Sequence, residues 1–297
     1  MAGFRAGILV SLLPLSLSLA TALVLSGCGE VAAPIRRNQR DDVAPVRTSP
    51  PVRPAADPAL LAFRVIAQQP GWPGSRPVVA PQRRSIPCER VKCVALTFDD
   101  GPFDYTGRLL DMLAEHHAKA TFFVVGQMVN PFTQVYLRRM VSEGHELGNH
   151  SWDHPSLPSL SSEALLTQLE RTQDAVRNAT GVTMRLMRPP YGATDGKVAD
   201  ATRRADLAQI LWDVDTLDWR DKDSGVVARR AADAKAGSVV LMHDIHKTTV
   251  DAVPNLLRDL AAKGYTFVTV SELYGDKKLA AGGKYAGEAG EQEKKRP

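Results

Sequence analysis

Apolar residues along this chain come in short runs that alternate with stretches of helical spacing. Val94-Ala95-Leu96-Thr97-Phe98 is an apolar run followed by Asp and Gly, the pattern of a buried strand that ends in a loop. Over residues 106–117 the period changes, and Leu109, Leu110 and Leu113 fall on one helical face. Residues 121–125 read as the next strand. Pro131 can open a helix that ends near Gly144. Ser161 or Ser162 can cap a longer helix carrying Leu165, Leu166, Leu169 and Val176, and Gly181 can terminate it. Further strands are predicted over 184–187, 209–213, 238–242 and 265–270, with helical stretches over 196–205, 225–234 and 250–262. Strands alternating with helices imply crossover units and a mainly parallel sheet, closed or nearly closed into a barrel. No internal repeat is evident.

The flanks have a different character. Residues 1–28 look like a secretion signal: Arg5 gives a positive start, residues 6–25 are apolar, and Leu25-Ser26-Gly27-Cys28 follows. That tetrapeptide resembles the bacterial lipobox, in which the signal is cut before a cysteine whose sulfur carries a diacylglyceryl group. An uncleaved span is the alternative, since about 20 apolar residues can cross a bilayer. Pro14 and the small Ser26 and Gly27 favour cleavage. Either way the rest of the chain lies outside the cytoplasm, in the first case as a lipoprotein on the outer face of the membrane.

Residues 29–87 hold eleven of the twenty prolines, and proline favours an extended tether over packed elements. A short apolar patch at 60–66 suits one helical turn. Residues 276–297 are rich in Gly, Lys, Glu and Ala with little to bury, and read as a disordered tail. Of 297 residues, those from 88 to 275 are left as one folded domain.

The net charge of +4 does not point to nucleic acid, because Lys and Arg are scattered and no basic run is interleaved with aromatics. An arginine-rich mature N-terminus facing an anionic membrane and wall polymer accounts for the sign. There are three cysteines. With Cys28 lipidated, Cys88 and Cys93 form an even pair, and an oxidising compartment permits a disulfide at the mouth of the first strand. No second pair of thiols is present to complete a Cys-rich zinc site.

The chemically capable residues fall where the predicted strands end. Asp99 and Asp100 follow the first, Arg188 follows another, Asp215 and Asp218 follow a third, and His243 ends a fourth. In a parallel barrel these ends converge on one mouth. His150 and His154 stand four apart, so one helical turn can aim both imidazoles the same way. Asp100 would add a hard oxygen, giving two nitrogens, one oxygen and open positions, which suits a hydrolytic divalent ion better than a structural one. Taken singly, each has a structural reading. A double Asp before Gly is common in turns, an arginine can bridge loops, Trp219 can be core, and a histidine at a strand end can be a satisfied core residue.

Taken in order, Thr97-Phe98-Asp99-Asp100-Gly101-Pro102, His150-Ser151-Trp152-Asp153-His154, Arg188-Pro189-Pro190-Tyr191, Asp215-Thr216-Leu217-Asp218-Trp219 and Leu241-Met242-His243 resemble the five motifs of the polysaccharide deacetylases, carbohydrate esterase family 4. The resemblance covers residues 91–274. It implies a single catalytic domain with a distorted (β/α)7-type barrel and metal-dependent removal of acetyl groups. The metal would be Zn2+, with Co2+ or Ni2+ as alternatives, on Asp100, His150 and His154. It further implies that Asp99 is the base, kept ionised and oriented by Arg188, and that His243 is the acid, its pKa raised by Asp218. Tyr191 would supply a backbone N–H to the oxyanion, and Trp219 and Leu241 would wall the acetyl methyl.

A lipid-tethered enzyme meets the wall first, so the expected substrate is peptidoglycan at N-acetylglucosamine or N-acetylmuramic acid. Chitooligosaccharides and acetylated xylan are alternatives, as is a non-catalytic glycan-binding lipoprotein, whose signature would be a lost base or acid. The chain is expected to act as a monomer. Asn178-Ala179-Thr180, His116, His117 and Asp153 are read as structural or solvated, and His246 is left without a role.

Overall fold

The run read as a buried strand is β1, Lys92–Asp99. Its side chains alternate as a strand requires. Val94, Leu96 and Phe98 face a cluster shared with the surrounding helices, while Cys93 and Ala95 face a second cluster on the inner side of the sheet. Buried Thr97 and Asp99 continue that inner face, which therefore turns polar toward the carboxyl end of β1.

The structure, a computed structural model, describes residues 77–275 and 279–287. After β1 come α1 (Thr106–Glu115), β2 (Thr121–Val124), α2 (Gln134–Ser142), β3 (Glu146–Asn149), α3 (Ser162–Thr180), β4 (Leu186–Met187), α4 (Gly196–Arg204) and β5 (Ala208–Ile210). Then follow β6 (Val214–Asp215), the single turn α5 (Asp218–Asp221), α6 (Ser224–Ala231), β7 (Ser238–His243), α7 (Lys247–Ala262), β8 (Tyr265–Val268), α8 (Val270–Tyr274) and β9 (Lys284–Tyr285). The strands lie in the order β6-β7-β1-β2-β3-β4-β5-β9, with β8 also on β1. Every pairing between these strands is parallel. The result is a curled parallel sheet wrapped by helices, the distorted barrel expected from the motifs.

Local signals explain most of the boundaries. Leu109, Leu110 and Leu113 of α1 are fully buried. Ser161 caps α3 by accepting from Ala164 N–H, and Gly181 ends it in the left-handed conformation at φ 83°. Several elements differ from the sequence reading. β3 and β6 were not predicted, being short and flanked by polar residues. The strand expected over 265–270 stops at Val268, because Thr269 and Glu272 form a reciprocal capping box that starts α8. Val270, Leu273 and Tyr274 of that helix join the inner cluster.

The flanking assignments need two corrections. Residues 77–87, assigned to the tether, are packed on the domain. Val78 N–H donates to Thr180 O at 2.8 Å, and the Arg84 guanidinium binds Glu272 at 2.6 and 2.8 Å. Proline-rich chain can lie extended on a surface when its side chains find partners. Residues 279–287, assigned to the tail, are also ordered: Gln209 N–H donates to Gly283 O, Leu211 N–H to Tyr285 O, and Gly287 bridges Ser238. This segment covers the otherwise bare edge of β5 and reaches β7 across the open side of the sheet. Residues 1–28 with Cys28, the patch at 60–66 and the rest of the tether lie outside the described residues. Cys88 and Cys93 are disulfide-bonded at the amino end of β1, opposite Asp99. Among the described residues no helix is long and apolar enough to cross a membrane.

Ending the chain at Gly275 removes three backbone hydrogen bonds to β5 and the residues flanking it, together with the Tyr285 ring stacked edge-on against Tyr274. At about 1 kcal/mol per hydrogen bond and about 2 kcal/mol for the ring, the expected loss is about 3–5 kcal/mol, read as a lower urea midpoint. An unchanged midpoint would show that this segment contributes nothing to the fold.

Candidate active site

Sheet register brings the motifs together. β1 and β7 pair Asp99 with His243, and β3 pairs Asn149 with Val124 of β2 and with Met187 of β4. His150 and Arg188 therefore stand one residue beyond neighbouring strand ends, on the same rim as Asp99 and His243.

Arg188 is fully buried, its guanidinium lying 4.2 Å from the centroid of the Phe123 ring. It donates from Nη1 to Asp99 Oδ1 at 2.8 Å and to Thr97 Oγ1 at 2.7 Å, from Nε to Ile210 O and from Nη2 to Leu211 O. The pair is thus pinned to β1 at one end and to β5 and its outgoing loop at the other. Burial pushes the Asp99 carboxyl up from its ordinary value; the charge and hydrogen bond of Arg188 favour the carboxylate, as expected of the pair, without offsetting the burial.

Asp100, His150 and His154 each place one ligating atom within 4.8 Å of the others. Asp100 Oδ1 lies 3.5 Å from Nε2 of both histidines. His150 Nδ1 is 2.7 Å from Arg188 O, and a carbonyl can only accept, so Nδ1 carries the proton and Nε2 presents its lone pair. Burial pushes His150 down to about 3, which keeps that ring neutral. Asp100 Oδ1 is buried and finds no hydrogen donor among the described residues. A buried carboxylate oxygen without a hydrogen donor, facing the His150 lone pair and the His154 imidazole, is a donor set that fits a divalent cation. The two histidines do not share a helical turn, as their spacing suggested. They flank a loop after β3 in which Ser151 and His154 have positive φ, shaped by Asn149 Oδ1 accepting from Ser151 N–H and Ser151 Oγ accepting from His154 N–H.

His243 Nδ1 donates to Asp218 Oδ1 at 2.8 Å. Asp218 also accepts from His243 N–H, from the Thr249 hydroxyl and from Trp219 N–H. Burial alone would raise Asp218, but the bonds from His243 and Thr249 outweigh it and the carboxyl lies below its usual range. Burial would lower His243, yet the bond and charge of Asp218 prevail and lift it to about 9. The ring is therefore an imidazolium at neutral pH, with Nε2–H left free of Asp218.

Tyr191 sits in a tight turn after β4 at φ 60°, its ring edge-on to His154 with centroids 4.6 Å apart. Trp219 is half exposed, and Leu241 is buried on β7 two residues before His243. Asp215 accepts from Leu217 N–H and shapes the loop, apart from these groups. Thr97, which binds Arg188, was quoted within the first motif but given no role, and the Asp218-binding Thr249 was missed, because a hydroxyl in a helix carries no distinguishing signal. Asp244, buried beside His243, was missed as well.

Comparison with known proteins agrees with this geometry. The sequence model of polysaccharide deacetylases matches residues 87–210. A peptidoglycan-N-acetylglucosamine deacetylase of Listeria monocytogenes is 46% identical over 198 residues, 65% of this chain and 41% of the relative. A peptidoglycan-N-acetylmuramic acid deacetylase of Bacillus subtilis is 41% identical over 61% of this chain and 38% of the relative. The chain thus spans about two-fifths of the length of these two relatives. A solved structure described as T48 deacetylase with substrate is 44% identical, with a TM-score of 0.65 over 67% of this chain and 99% of that one. With that similarity along the whole of a solved deacetylase, and the five motifs gathered on one rim, this chain belongs to the polysaccharide deacetylase family, carbohydrate esterase family 4.

Proposed function

We propose that this chain is a metal-dependent N-deacetylase that hydrolyses the acetamide of N-acetylglucosamine or N-acetylmuramic acid residues in peptidoglycan. The observation that carries the reading is the placement of the Asp100–His150–His154 cluster beside a buried Asp99–Arg188 pair on the same rim as an imidazolium, His243. Two relatives named for peptidoglycan support the substrate.

Asp100, His150 and His154 would hold the ion, Zn2+ on this reading, with Co2+ or Ni2+ able to take the same ligands. When bound, such an ion lowers the pKa of a water towards ~7 and polarises the acetyl carbonyl. Asp99 takes the proton of the attacking water, its spare Oδ2 lying 3.6 Å from His150 Nε2 and so facing the ligand cluster. Arg188 fixes that carboxylate, and its elevated basicity suits a proton acceptor. The water oxygen bonds to the acetyl carbon and the carbon–nitrogen bond breaks. His243 delivers its proton to the departing nitrogen, so acetate and a free amine result. Tyr191 N–H would steady the oxyanion, and Trp219 with Leu241 would enclose the methyl group. Cys28 would carry the lipid that holds the enzyme, as a monomer, at the outer face of the membrane, with residues 29–76 as the reach toward the wall.

Product analysis after incubation with purified peptidoglycan tests the reading. Wild type should release acetate and leave free amines, while Asp99→Asn and His243→Ala should each lower kcat about 10²–10⁴-fold. Glycan binding without acetate from peptidoglycan, chitooligosaccharide or acetylxylan would favour the binding-protein alternative.

Protonation of His243 is checked separately by NMR titration of the metal-free protein. The imidazole should titrate near pH 9 and fall well below that in Asp218→Asn, where burial is less opposed. Because the folded value is raised, the stabilisation is complete below the unfolded value of about 6.5 and is lost as pH rises through about 9. A midpoint unmoved by the substitution would rule out Asp218 as the cause. For the anchor, Cys28→Ala should move the protein out of the detergent phase without changing turnover of the isolated domain. Unchanged partitioning would indicate a retained apolar helix.

A further inference from the structure

Asp244 has no part in the reaction just described, yet it is fully buried between the two halves of the site. It follows His243 directly and reaches across to the turn that follows β1. Its Oδ2 accepts from the Thr106 hydroxyl, and its Oδ1 is buried with no hydrogen-bond partner among the described residues. Burial pushes the carboxyl up to about 7, against the Thr106 bond and with the charge of Asp100 adding to the rise. Such a half-satisfied buried acid is unfavourable on its own account.

Its position gives the reason for keeping it. A Cβ added to Gly101 would lie 2.3 Å from Asp244 Oδ1 and 2.5 Å from Oδ2. The carboxyl thus fills the space against the backbone of the residue that follows Asp100. Asp100 itself has φ 73°, a left-handed conformation that is disfavoured for a non-glycine residue. Conformations of this kind persist where the surroundings over-determine them. Here the turn is held at three points. Gly101 O accepts from Val125 N–H at 3.2 Å, Phe103 N–H donates to Thr106 Oγ1 at 2.8 Å, and Asp244 both abuts Gly101 and binds that same Thr106 oxygen. Thr106 therefore relays Asp244 to the far side of the turn.

We propose that Asp244 is a positioning residue that, through Gly101 and Thr106, fixes the turn presenting Asp100 to the metal and locks it to the strand end carrying His243. The proposal rests on the reading of Asp100, His150 and His154 as the metal ligands. It makes Gly101 and Asp244 a complementary pair: glycine is needed at 101 because the carboxyl occupies the space of its side chain.

The test uses the full chain and a measurement that does not depend on turnover, Zn2+ affinity by competition with a chromophoric chelator. Asp244→Ala should weaken Zn2+ binding about tenfold or more and lower kcat on a chitooligosaccharide with KM little changed. Asp244→Asn keeps the shape and an oxygen for Thr106, and should restore most of both. Thr106→Val should weaken Zn2+ by a smaller factor. A folded Asp244→Ala with wild-type Zn2+ affinity overturns the proposal. If Asp244→Ala does not fold, Thr106→Val decides, and wild-type affinity in that variant overturns it equally. A wild type that binds no Zn2+ overturns the metal reading and this proposal with it, whereas loss confined to the variants leaves the metal reading intact.

Discussion

A guanidinium removed from water must be surrounded by acceptors, and the inside of this sheet is organised around that requirement at Arg188. Its side chain reaches from the end of β4 to two carbonyls at the end of β5, to the Thr97 hydroxyl and to Asp99 on β1. Its own carbonyl accepts the Nδ1–H of His150. One residue therefore orients the proposed base with its side chain and selects the tautomer of a proposed metal ligand with its backbone. Loss of either partner would strand a buried charge, an effect of about 3–5 kcal/mol, so the geometry of the base is tied to the stability of the inner core.

Two histidines in this site show how much is decided by the acceptor that Nδ1 meets. His150 gives its Nδ1 proton to a neutral carbonyl, and burial then holds the ring neutral, with a value near 3. His243 gives its Nδ1 proton to a carboxylate that is itself held ionised by the Thr249 hydroxyl and a backbone N–H, and the ring is lifted to about 9. In both cases Nδ1 is taken and Nε2 is the atom left for the proposed chemistry. The first presents a lone pair and the second a proton, the difference needed between a ligand and an acid.

Much of this was legible in the sequence, and the reasons are physical. β1, α1 and α3 announced themselves through apolar spacing and through Ser161 and Gly181 at the ends of α3. The five motifs identified the residues on the rim because chemistry restricts residue type more tightly than packing does. β3 and β6 were not legible, since each carries a single apolar side chain, Leu147 and Val214. The loop from His150 to His154 looked like a helical turn because spacing alone cannot see that Ser151 and His154 adopt positive φ. Composition misplaced both flanks: residues 77–87 and 279–287 are poor in core residues, but Arg84, Tyr285 and a row of backbone groups find partners that only the folded sheet supplies. Asp244 was invisible for the same reason, its role being defined by the space next to Gly101.

The distribution of backbone strain follows the same division. Eight non-glycine residues have positive φ among the described residues, and Asp100, Ser151, His154, Tyr191 and Leu217 among them lie in loops that leave the carboxyl ends of strands. The amino ends have fewer such residues, His117 before β2 and Asp206 before β5, and are closed by the Cys88–Cys93 bond, the Arg84–Glu272 pair and the capped α8. A left-handed residue on the rim is disfavoured on its own, and three of these are held by side chains two or three residues earlier: Ser151 by Asn149, His154 by Ser151, and Leu217 by Asp215. A site assembled from five separate loops can keep its atoms in register only if those loops have no relaxed alternative nearby. The rigid inner core around Arg188 and the strained rim above it are therefore two parts of one arrangement, in which the first removes the freedom that the second would otherwise use to relax.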